Sequence, residues 1–145
     1  MLGTLDNAGT IAVGGDGYYK MVSTLDLSGA VTLAGGGTIA LAEHANVEGT
    51  VPTQLITGDT LDNIDNTISG YGLLGGGALT LTNRAAGTIA ATGATLDVST
   101  FTAIANAGLI EVDGGTLQLD SDLTNTGTLL ASNGGDALHQ RHAAR

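Results

Sequence analysis

The sequence predicts an all-β repeat protein, a β-solenoid of about seven coils with a period near 20 residues. Three observations predict it. Short runs with apolar residues at i and i+2 begin at Ile11, Val31, Val51, Leu73, Ile89, Ile110 and Leu129, a mean step of about 20. The turn signal Asn-x-Gly at Asn106 and Gly108 returns at Asn125 and Gly127, nineteen residues later. The chain holds 24 glycines and one proline, and no segment sustains a 3.6-residue period without glycine, which excludes helices as the main element.

Along the chain the unit recurs in one form. GAVTLAGGGTIALA presents Val31 and Leu33, a glycine corner, then Ile39 and Leu41. GTIAATGATLDVSTF presents Ile89 and Ala91, then Leu96, Val98 and Phe101. GLIEVDGGTLQLDSDL presents Ile110 and Val112, a corner, then Leu117, Leu119 and Leu123. Residues i and i+2 of a strand share one face, and glycine or Asn-x-Gly supplies the bends. Such a unit cannot bury its apolar face alone. Stacking equivalent strands in parallel, about 4.8 Å apart, gathers those faces into one interior column, and small aliphatic residues suit its width. The competing architecture is an antiparallel sandwich, which also shows short strands at regular spacing. The constant period and the turn chemistry recurring in phase favour the solenoid.

Two segments break the pattern. Residues 41–72 contain Pro52, which cannot donate to a ladder and belongs at a corner or edge, and a denser set of acids. Residues 137–145, ALHQRHAAR, lose the repeat and gain positive charge. The expected organisation is therefore a repeat domain over residues 1–136 and a tail over 137–145, either a cap or a disordered end.

Net charge and composition narrow the function classes. The formal net charge is −10, with four Lys or Arg, which disfavours nucleic acid and anionic lipid as partners. No cysteine is present, which removes disulfides and thiolate metal sites. The start, MLGTLDNAGTIAVGG, is not a signal peptide, and no apolar run approaches the ~18 residues of a membrane span. Repeat-like sequence directly after Met1 suggests a piece of a longer protein or a short member of a repeat family.

Residues 60–98, TLDNIDNTISGYGLLGGGALTLTNRAAGTIAATGATLDV, resemble the β-strand repeats of large secreted or surface proteins of Gram-negative bacteria, of the autotransporter and filamentous-haemagglutinin-like adhesin type. The Asp-Asn-x-Asp-Asn-Thr-Ile-Ser-Gly run, the Gly-Gly-Gly strand and the Asn-x-x-x-Gly-Thr-Ile run carry the likeness, which weakens over residues 106–135. It covers about two thirds of the chain. The resemblance implies a right-handed parallel β-helix acting as a stalk or adhesive surface, secreted or at the bacterial cell surface, with no catalytic motif to carry over. No translocator barrel or secretion-domain motif is visible.

Candidate sites are few. Asp59, Asp62 and Asp65, interleaved with Asn63 and Asn66, supply oxygen donors of the type calcium takes, so calcium is the one candidate cofactor. The competing reading is a solvated corner with asparagines laddered between coils. Tyr18 and Tyr71 are candidate sugar-stacking rings, and Glu111, Asp113, Asp120 and Asp122 are outward acids that could contact or cleave a polysaccharide. Polar residues at every second position are equally the mark of a plain solvent face. His44, His139 and His142 form no fixed ligand set.

The expected function is a structural or adhesive extracellular segment without catalysis. The alternatives are a carbohydrate-binding module and, behind it, a polysaccharide-acting enzyme. Expected partners are a polysaccharide or cell-surface ligand, and a second copy joined end to end through open sheet edges.

Overall fold

A computed structural model describes residues 3–14, 23–41 and 54–139. Tyr18, Val51, Pro52, His44 and His142 lie outside these, so the expectations attached to them do too. The described chain is all-β. Its strands are β1 (Gly3–Asp6), β2 (Thr10–Val13), β3 (Ser23–Ala34), β4 (Thr38–Leu41), β5 (Gln54–Asn63), β6 (Thr67–Asn83), β7 (Thr88–Thr100), β8 (Ile104–Asn106), β9 (Leu109–Asp113), β10 (Thr116–Leu119), β11 (Leu123–Asn125), β12 (Thr128–Ser132) and β13 (Asp136–His139). Every pairing between these strands is parallel.

The registers sort into three columns. The first runs β1, the end of β3, the end of β5, the end of β6, β8 and β11. The second runs β2, β4, the starts of β6 and β7, β9 and β12. The third runs the start of β3, the start of β5, the middle of β6, the end of β7, β10 and β13. Each column is six layers deep, and the long strands β3, β5, β6 and β7 pass from one column to the next. Parallel strands need crossovers, and here each crossover is itself a strand of another column. This long parallel sheet with stacked asparagines is consistent with a β-solenoid.

The core is the set of side chains that the registers superimpose. Ile39, Ile68, Ile89 and Ile110 stack in the second column with almost no solvent exposure. Val31, Leu61, Leu81 and Ile104 stack in the first, and Ile56, Leu74, Val98 and Leu119 in the third. Burying each of these aliphatics contributes roughly 1.5–3 kcal/mol. The stack is least covered at its last layer, where Leu129, Leu130 and Leu138 are exposed.

The lap length departs from the sequence pattern in the first half. Ile11 pairs with Ile39, 28 residues on, and Ile39 with Ile68, 29 on. From there the laps shorten, with Ile68 over Ile89, Ile89 over Ile110 and Ile110 over Leu129. Val31, which the even period aligned with Ile11, instead sits in the first column against Gly3 and Leu61. The apolar starts therefore mix two columns. Leu74, and not the neighbouring Leu73, is the buried residue of its pair. Phe101 does not continue the inward set of Leu96 and Val98. It is 77% exposed, because the chain leaves β7 at Thr100 and turns outward.

Candidate functional site

Asparagine occupies one inward register position in four successive layers. Asn63, Asn83, Asn106 and Asn125 superimpose through the first-column pairings. Each Nδ2 donates to the Oδ1 of the next: Asn63 to Asn83 at 2.9 Å, Asn83 to Asn106 at 2.8 Å and Asn106 to Asn125 at 2.7 Å. The second proton of each goes to a backbone carbonyl of its own corner, Asn66, Gly87 and Gly108 respectively. Asn63, Asn83 and Asn106 are buried, so satisfying every donor is what makes them tolerable inside.

The glycines beside this ladder are required by close approach and not by positive φ. A Cβ on Gly108 would stand 2.3 Å from the carbonyl oxygens of Arg84 and Gly87. One on Gly87 would stand 2.3 Å from Asn83 Oδ1.

A cleft of about 220 Å³ opens where the chain turns from the third column to the first in two successive layers. Its walls are Thr100, Phe101, Thr102 and Ala103 from the turn after β7, and Asp120, Ser121 and Asp122 from the turn after β10. The turns are locked together. Ser121 Oγ accepts from the Thr100 N–H at 2.7 Å and donates to the Thr100 carbonyl at 3.0 Å. The Ile104 N–H donates to the Asp122 carbonyl at 2.7 Å, and the Phe101 N–H to that of Leu79 at 2.9 Å. His139, from the last layer, bonds the Ser121 carbonyl through Nε2 at 3.0 Å.

Asp120 links the cleft to the outer face of the third column. Its Oδ1 accepts from Gln118 Nε2 at 3.0 Å. Asp97, one layer back, is its neighbour. Partial burial pushes the Asp97 carboxyl up to about 6, and the nearby Asp120 carboxylate pushes in the same direction. Asp97 Oδ1 itself is shielded from solvent without a partner.

The acids singled out for calcium each have a separate partner. Asp59 Oδ2 accepts from the Gly29 N–H at 2.7 Å, and Asp65 Oδ1 from the Gly36 N–H at 3.0 Å. Asp62 forms a two-pronged ion pair with Arg84 at 2.7 and 2.9 Å. Among the described residues no three His, Asp or Glu side chains are grouped to hold a metal ion.

Asp120 and Asp122 come together in the cleft, whereas Glu111 and Asp113 lie on β9 in the second column, where Asp113 accepts from Asn133. Tyr71 lies at the turn between the second and third columns, its ring next to Gly93. Phe101 was missed as a ring because it was grouped with the core positions Leu96 and Val98, although it is one residue out of phase with them. The signal that could have found it is its place in STFTA, a polar turn. The chain matches no family model, no curated protein and no solved structure.

Proposed function

We propose that this chain is a segment of a right-handed parallel β-helix serving as a structural, adhesive part of a bacterial surface protein, without chemistry of its own. The observation that carries the reading is the unbroken asparagine ladder through four layers, each amide passing its hydrogen bond to the next. Such a ladder makes neighbouring layers mutually dependent, which suits a part whose task is to keep its shape. The acidic, cation-poor surface keeps copies apart in solution and fits exposure to the outside.

The open edges support a place within a longer stack. β1 and β2 at one end, and β11, β12 and β13 at the other, are each paired on one side among the described residues. Unpaired parallel edges accept another strand, from a neighbouring segment or a second copy.

Two measurements on the protein test the proposal. Solution X-ray scattering should give a rod segment about six layers, or ~29 Å, long. Protease shaving of intact source cells should release peptides of this chain. A globular scattering profile removes the β-helix, and full protection in intact cells removes the surface role.

A further inference from the structure

The cleft at Phe101 is a second feature, independent of whether the chain is a stalk. Phe101 is the chain's one phenylalanine, and it stands 77% exposed in a chain whose other described large aliphatics, outside the last layer, are mostly covered. Its backbone is held to Leu79 in the previous layer, so the ring is presented from an anchored turn. Beside it are two carboxylates, Asp120 and Asp122, and the hydroxyl-bearing Thr100, Thr102 and Ser121. An exposed flat apolar ring next to clustered hydrogen-bond acceptors matches a pyranose, which has an apolar C–H face and a rim of hydroxyl donors. The volume, about 220 Å³, is below the ~300–1,000 Å³ of pockets for drug-sized ligands and suits a single ring.

Charge selects among sugars. Among the described residues the lining holds two Asp and no Lys or Arg, and the whole chain carries −10. A uronate or sulfated unit would meet like charge, with no Lys or Arg among the described lining residues to pair it. An amino group would be attracted both by the carboxylates and by the face of the ring. We infer that the turn pair at residues 100–103 and 120–122 binds one neutral or amino-sugar pyranose unit of a polysaccharide, with its C–H face on Phe101 and its polar rim on Asp120 and Asp122. The lock between Ser121 and Thr100 means that the two walls need little ordering on binding.

The test is an amide-resolved NMR titration of the full chain with cello-oligosaccharide, chito-oligosaccharide, chitosan oligomer and oligogalacturonide. The expected result is saturable shifts at residues 100–103 and 120–122 with at least one of the first three, and none with oligogalacturonide. Phe101→Ala should weaken that binding about tenfold, and Phe101→Tyr should retain it. Phe101 is exposed, so both variants should keep the wild-type far-UV circular dichroism. Absence of saturable binding by all three neutral and amino oligomers overturns the inference. So does undiminished binding by Phe101→Ala, or equal binding of oligogalacturonide. A globular scattering profile would count against the stalk and leave this result untouched.

Discussion

Replacing Asn83 by Ala tests whether the ladder, and not only the aliphatic columns, holds the layers together. Asn83 Oδ1 accepts from Asn63 Nδ2 at 2.9 Å. Its Nδ2 donates to Asn106 Oδ1 at 2.8 Å, to the Gly87 carbonyl at 3.2 Å and, more weakly, to that of Leu109 at 3.3 Å. Two protons serve those three acceptors, so the side chain contributes about three independent bonds, each worth about 1 kcal/mol net. The neighbours are not fully orphaned. Asn63 Nδ2 keeps the Asn66 carbonyl, and Asn106 Oδ1 keeps the Gly108 N–H. The expected loss is therefore about 3 kcal/mol, without a further large penalty for stranded groups. Asn125→Ala is the control. It sits exposed at the ladder's end, accepting from Asn106 Nδ2 and the Gly127 N–H, and should cost about 1 kcal/mol. Urea unfolding followed by far-UV circular dichroism reads both. Equal losses at the two positions, or less than 1 kcal/mol at Asn83, would refute the idea that the buried ladder is a distinct source of stability.

Two other perturbations follow from the same geometry. Gly108→Ala should be far more damaging than Gly36→Ala in thermal unfolding, since a Cβ at Gly108 meets two carbonyl oxygens at 2.3 Å while Gly36 has open space and only a φ of +72° to strain; the second should cost about 1 kcal/mol. Asp97 should make stability fall as pH rises from its ordinary value near 3.8 to about 6, because in that window the folded state holds the proton and the unfolded state has released it. Stability is highest below the window and level above it, and discounting for partial solvent screening leaves an effect of about 1 kcal/mol. In Asp97→Asn the slope over that window should flatten, measured by urea midpoints at pH 4 and pH 6.5; an unchanged slope would remove Asp97 as its source.

The amount legible in the sequence differed between the two halves for a physical reason. From Thr67 onward the laps are near 20 residues, and apolar alternation placed Ile89, Ile110, Leu96 and Leu117 correctly in the core. Before it, residues 14–22 and 42–53 lie between second-column and third-column strands. Extra chain there lengthens the lap without disturbing alternation inside any strand, so an even spacing of apolar starts locks onto the wrong column, as it did at Val31. Alternation reports which face a residue occupies but not which strand lies beneath it. Phe101 is the reverse case, where alternation was informative. It stands one residue out of phase with Leu96 and Val98, so strict alternation already marks it as outward, and grouping it with the core positions overrode that signal. The cleft was half legible: Asp120 and Asp122 were visible as a pair, but the ring that lines the cleft with them comes from a turn about one lap earlier. Asn-x-Gly was legible as a bend, yet glycine's reason there is space for a neighbouring carbonyl.

One corner departs from that rule and explains itself. Where other layers place glycine just before the second-column strand, at Gly9, Gly37, Gly87, Gly108 and Gly127, the third layer places Asn66. The second layer beneath it has the run Gly35, Gly36, Gly37 and no side chain to fill the corner. Into that gap Asn7, from the first layer, sends its Nδ2 to Asn66 Oδ1 at 2.9 Å, with the carbonyl of Thr38 taking a second bond at 3.1 Å. The Asn66 N–H in turn donates to Asn63 Oδ1, where the main ladder begins. Triple glycine and a paired Asn are thus one device: the second layer gives up its side chains so that the first and third can bond through it. A double-mutant cycle on Asn7→Ala and Asn66→Ala checks this, because a direct bond between residues 59 apart in sequence should appear as a coupling of about 1 kcal/mol. Strictly additive losses would mean that the two amides stabilise only their own corners, and that the first layer is tied to the rest by strand pairing alone.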